Sequence, residues 1–158
     1  MDWRTMASYR IFQEVLSGQA TRFVVVDDNE ELLQIWRRVL ALEENCICFL
    51  TTNPQEALRE IQTEEVDILI TDISMPEMNG IILARKAKKL LPKLQIFFTT
   101  GDVSNFYKIE PWDEEPEVLQ KPYADIQHVQ SFIHDLATHH PLDRQYCTDE
   151  GKLHVWHL

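Results

Sequence analysis

Four apolar runs in this chain end in groups that could handle a hard cation or a phosphoryl group. Asp27-Asp28 follow Phe23-Val24-Val25-Val26, and Asp72 follows Ile68-Leu69-Ile70-Thr71. Thr99-Thr100-Gly101 follow Ile96-Phe97-Phe98, and Lys121-Pro122 follow Val118-Leu119-Gln120. Neighbouring carboxylates repel and raise one another's pKa unless a cation sits among them. Mg2+ prefers octahedral oxygen ligands and commonly combines one or two carboxylates with phosphate oxygens, so this set suits it. A carboxylate can itself attack phosphorus to give an acyl phosphate, and catalysis is then chiefly positioning and charge neutralisation. Asp72 is the candidate nucleophile, because the turn-forming stretch Ile73-Ser74-Met75-Pro76-Glu77-Met78-Asn79-Gly80 follows it. Lys121 would pair with one phosphoryl oxygen, and Thr100 could donate a hydrogen bond to another.

For these groups to meet, the runs carrying them must lie side by side. Strands are expected over 22–27, 46–51, 66–71, 95–100 and 117–120, alternating with helix-period segments over 30–43, 54–63, 80–90 and 124–139. That alternation is the signature of a parallel sheet flanked by helices. Ligands of such sheets gather at the carboxyl ends of the strands. Residues 102–116 are irregular, and any helix there is expected to be short or broken. The first twenty residues read as an amphipathic helix, with Trp3, Met6, Phe12, Val15 and Leu16 near one side, which could pack on the domain or pair with a second copy. The division expected is an N-terminal helical extension, 1–21, a domain over 22–140, and a tail, 141–158, without clear period.

At 158 residues with 44% hydrophobic composition, one well-cored domain is the starting assumption. No stretch approaches the run of about 18 apolar residues that a membrane span requires, and the N-terminus lacks a signal peptide's apolar centre. A cytoplasmic location is expected. A net charge of −11 argues against direct nucleic-acid binding. Cys46, Cys48 and Cys147 follow no metal-type spacing; Cys46 and Cys48 are too close for an unstrained disulfide and read as reduced, inert core thiols. All six histidines fall in the last quarter, and without regular spacing they read as solvated rather than as zinc ligands.

The ordered motifs Val24-Val25-Val26-Asp27-Asp28, Asp72 to Gly80, Thr99-Thr100-Gly101 and Leu119-Gln120-Lys121-Pro122 make residues 22 to about 138 resemble the receiver domain of two-component response regulators, the CheY-like group. The resemblance implies a doubly wound, flavodoxin-like α/β fold with a five-stranded parallel sheet in the order 2-1-3-4-5. It implies that Asp72 accepts a phosphoryl group from a histidine kinase or phosphotransfer protein. Mg2+ would be bound by Asp28, Asp72 and the Ser74 backbone carbonyl, with Asp27 acting through water. Thr100 and Lys121 would be the switch hydroxyl and the site lysine, and the Lys121-Pro122 peptide would be cis. Output would be contact with a downstream protein, and the only catalysis would be the domain's own phosphotransfer and dephosphorylation. The chain departs from the family at Val118, where an aromatic is usual, and in the acidic stretch 110–117.

Two other functions compete. One is an interaction module of the same fold that works without phosphorylation. The other is a phosphatase with an aspartyl-phosphate intermediate, which generally carries a second acid two residues after the nucleophile, where this chain has Ser74. Asp27 and Asp28 could alternatively be acids that merely favour the N-terminus of the following helix.

Overall fold

The computed structural model describes residues 20–106, 116–123, 125–138 and 154–156. The five expected strands are present as β1 (Thr21–Val26), β2 (Cys46–Thr51), β3 (Ile68–Asp72), β4 (Gln95–Thr100) and β5 (Glu117–Gln120). A sixth, β6 (His154–Trp156), comes from the tail, where no strand was expected. All neighbours pair in parallel, in the order β2-β1-β3-β4-β5-β6. The direction of winding changes between β1 and β3, which is where a crevice opens at the carboxyl ends of a doubly wound sheet.

The helices are α1 (Glu30–Leu40), α2 (Pro54–Thr63), α3 (Gly80–Leu90), α4 (Val103–Phe106) and α5 (Ile126–Thr138). Each of the first three starts on an asparagine whose side-chain oxygen accepts free amides of the first turn: Asn29 from Glu31 and Leu32, Asn53 from Gln55, and Asn79 from Ile82. Pro54 occupies the opening turn of α2, where a missing N–H costs nothing. The described part of α4 is four residues long, and residues 107–115, the rest of the stretch expected to be irregular, lie outside the described residues.

Alternation along the strands divides the core. Phe23, Val25, Ile68, Ile70, Phe97 and Leu119 face one side, under Leu33 and Trp36 of α1 and Phe132 and Ile133 of α5. Val24, Val26 and Leu69 face the other, under Ala57 and Ile61 of α2 and Leu83 and Ala87 of α3. Val118 packs with Phe98, Phe106, Ile81 and Ala84 in a third cluster beneath α4. These strands are buried on both faces, as a parallel sheet between helices demands.

The cysteine reading needs correction. Both thiols are free, but β2 is an edge strand, so Cys48 is exposed and Cys46 half-buried rather than deep in the core. The Cys46 thiol donates to the Leu40 carbonyl at 3.3 Å. Burial, with smaller contributions from Cys48 and Glu43, pushes its pKa up to about 12. The expected N-terminal helix lies outside the described residues, apart from Ala20.

Candidate functional site

The chain folds so that its acids need not cap helices. Because Asn29 caps α1, Asp27 and Asp28 are free to face the crevice just past the end of β1. Asp27 is buried at 1% exposure, and its Oδ1 accepts the Asn29 amide at 2.9 Å, which fixes the carboxylate. Asp28 is exposed. Asp72 is the last residue of β3 and is itself buried. One oxygen from each of Asp27, Asp28 and Asp72 lies within 4.8 Å of the others.

Lys121 reaches this group from just beyond β5. Its ammonium lies 2.6 Å from Asp27 Oδ2 and 3.4 Å from Asp72 Oδ1. The Lys121 amide donates to the Thr100 carbonyl at 2.8 Å, holding the lysine to the end of β4, and the Lys121-Pro122 peptide is cis. Burial raises the Asp72 pKa to about 6; the Lys121 charge opposes this, while Asp27 and a hydrogen bond with Asp28 add to it. A carboxylate that is hard to keep charged is one that a further cation would stabilise.

The loop after β3 is held to the site by its backbone. The Ile73 amide donates to the Thr99 carbonyl at 3.1 Å, the Gly80 amide to the Ile73 carbonyl at 2.9 Å, and the Ser74 amide to Asp72 Oδ1 at 3.4 Å. Gly80 opens α3 so close to the acid that a Cβ there would lie 2.0 Å from the Asp72 carbonyl oxygen. Met75 and Met78 of the loop are buried in the core beneath α2 and α3, while Ser74, Pro76 and Glu77 face solvent.

Asp27, Asp28, Asp72 and Lys121 are thus brought together. Thr100 is buried at the neighbouring strand end, with its hydroxyl accepting the Asp102 amide at 3.1 Å rather than donating to a carboxylate. Sequence reasoning passed over Tyr123. Its hydroxyl accepts the Trp36 indole N–H at 3.2 Å, and the two rings meet edge to face at 5.3 Å between centroids. Burial pushes the Tyr123 phenol well above its usual range against the lowering effect of the Trp36 bond, and the charges of Asp27 and Asp72 add to the rise. Its place two residues after Lys121 was the available signal. Of the histidines, His128 and His134 are exposed as expected, with His134 Nδ1 3.1 Å from a Glu43 carboxylate oxygen.

What the arrangement can do is hold a hard cation on three carboxylates, two of them buried, beside a lysine. The donor set is all oxygen and compact, which matches Mg2+ and not a soft metal.

Comparison with known proteins agrees. A family model described as response regulator receiver domain matches residues 23–132. The response regulator receiver protein CpdR of Brucella abortus is 36% identical over 87 residues, 53% of this chain and 68% of that protein. The DNA-binding transcriptional regulator NtrC of Proteus hauseri is 25% identical over 122 residues, covering 77% of this chain but only 25% of its own length. The crystal structure of a CheY-like receiver domain protein from Methanospirillum hungatei superposes with a TM-score of 0.61 at 25% identity, covering 74% of this chain and 93% of the other.

Proposed function

Since the chain belongs to the response regulator receiver domain family, we propose that Asp72 is its phosphoacceptor and that the domain signals through the charge this adds to the rim. The observation that carries the reading is Lys121 bridging Asp27 and Asp72, which assembles acids from β1 and β3 with a cation from beyond β5. In the reaction an Asp72 carboxylate oxygen forms the new O–P bond while the donor's P–N bond to a histidine breaks, and the departing imidazole takes up a proton. Asp27, Asp28 and Asp72, with the Ser74 carbonyl, would hold Mg2+, which when bound supplies neutralising charge to the phosphoryl oxygens. Lys121 offers its ammonium to another phosphoryl oxygen without leaving the site. Thr100 exchanges its present role, as acceptor from Asp102, for donation to the phosphoryl group.

The donor is a histidine kinase or phosphotransfer protein, and the recipient of the signal is a downstream protein that reads the surface near β4 and β5. The domain acts as a signalling module rather than an enzyme with a separate substrate. We place it in the cytoplasm; among the described residues no helix is long and apolar enough to cross a membrane. We take residues 22–140 as the receiver domain, with 1–21 and 141–158 as the segments on either side; β1 already begins at Thr21.

The test is incubation with Mg2+ and acetyl phosphate, followed by intact mass. One acid-stable, base-labile phosphoryl adduct should form, and D72N should abolish it. Absence of an adduct with both acetyl phosphate and a histidine-kinase donor would refute the assignment and leave a phosphorylation-independent interaction module.

A further inference from the structure

The sixth strand is the feature that the proposed chemistry does not use. A sheet edge offers unpaired amides and carbonyls to any extended segment that can reach it. Here β5 pairs inward with β4 from Glu117 to Gln120 and outward with β6 from Glu117 to Leu119, Glu117 opposite His154, Val118 opposite Val155 and Leu119 opposite Trp156. The occupant is therefore a segment of the chain itself, added in parallel to the outer edge of β5.

The registers also align across strands. Asp72 pairs with Thr99, Thr99 with Leu119, and Leu119 with Trp156, so one row crosses four strands from the candidate acceptor to the tail. At the strand spacing of about 4.8 Å this row is roughly 14 Å long. Two positions beyond Leu119, Lys121 donates its amide to Thr100 and its ammonium to Asp27 and Asp72. The strand that receives the tail is thus the strand that delivers the lysine.

We propose that the outer edge of β5 is a strand-docking surface, that His154–Trp156 is its resident ligand, and that docking is coupled through β5 to the acidic rim. The coupling rests on the assignment of Asp72 as phosphoacceptor; the docking does not. Within the site, a phosphoryl group on Asp72 takes the Lys121 ammonium over from Asp27, its nearer partner at 2.6 Å, and the re-aimed lysine shifts the end of β5 against β6. Phosphorylation therefore loosens the tail strand and frees the edge for an extended segment of a partner protein. By reciprocity, loosening the tail alters the phosphorylation equilibrium.

Two full-chain variants test the docking. In a parallel ladder the amides of alternate residues serve a given neighbour, so at least one of V155P and W156P deletes a bond to β5. Hydrogen exchange of the β5 amides should quicken roughly ten-fold in one of them. Unchanged exchange in both overturns the docking surface. Coupling is then read in the parent chain with Mg2+ and acetyl phosphate, with intact mass reporting the adduct. Exchange in residues 154–156 should rise about three- to ten-fold on phosphorylation. An adduct without faster tail exchange overturns the coupling and leaves Asp72 as the acceptor. If no adduct forms with acetyl phosphate or a kinase donor, the acceptor assignment fails and the coupling falls with it, while the docking stands on the first measurement.

Discussion

Asp72 carries the chief electrostatic cost of the site. With its folded pKa raised to about 6, mainly by burial, it binds a proton over a pH range where an unfolded aspartate, with a pKa of about 3.9, has lost it. The folded chain then holds more protons, so this group's contribution is fully present below pH 4 and is lost as the pH rises through 6. Allowing for screening at the rim, the loss is about 1–2 kcal/mol. In metal-free protein D72N should be the more stable form at pH 7.5 by that amount and should match the parent at pH 4, as measured by urea unfolding. Lys121 works in the opposite sense: K121A leaves Asp27 and Asp72 without the cation that now lies between them. Stability should fall by about 2–3 kcal/mol at pH 7.5, and by less at pH 5, in the same assay. These residues were legible because acids and a lysine at the ends of apolar runs have few reasons to be there. The Thr100–Asp102 bond and the Trp36–Tyr123 pair were not, because rotamers and cross-sheet neighbours are set by packing rather than by local pattern.

Among the elements, the start of α3 shows how backbone and site constrain each other. A methyl group at position 80 would collide with the Asp72 carbonyl, and backbone atoms of a central strand yield little. G80A should therefore cost about 2–4 kcal/mol and reduce phosphorylation by acetyl phosphate, because the clash is with the backbone of Asp72, the proposed acceptor. N79A, which removes only the cap to Ile82, should cost about 1 kcal/mol and leave phosphorylation near the parent level. Urea unfolding and adduct formation separate the two. The helices and five of the strands were readable from periodicity, with ends displaced by up to three residues: α1 stops at Leu40 rather than 43, and β3 starts at Ile68 rather than 66, although Asp67 still donates its amide to the Arg22 carbonyl and also accepts the Arg22 amide through its carboxylate. β6 was not readable. Three residues carry no period, and what makes them a strand is the free edge of β5, a partner more than thirty residues away.

For the whole molecule, ligand binding and stability are linked. If Mg2+ binds the three acids of the folded chain and not the unfolded one, ten times its Kd should stabilise the protein by about 1.4 kcal/mol. D28N should lose most of that gain, and urea midpoints with and without Mg2+ measure both. The sheet that gathers those acids leaves β2 at its other margin, and among the described residues nothing pairs with the outer side of that strand. Its sequence, Cys-Ile-Cys-Phe-Leu-Thr, has no charge and no proline and strongly favours extended structure, the profile of a segment that stacks on copies of itself. The surplus of 11 negative charges keeps copies apart at neutral pH. That colloidal protection weakens as carboxylates take up protons, so in acid this chain should precipitate edge to edge along β2, with the exposed Cys48 beside the seam.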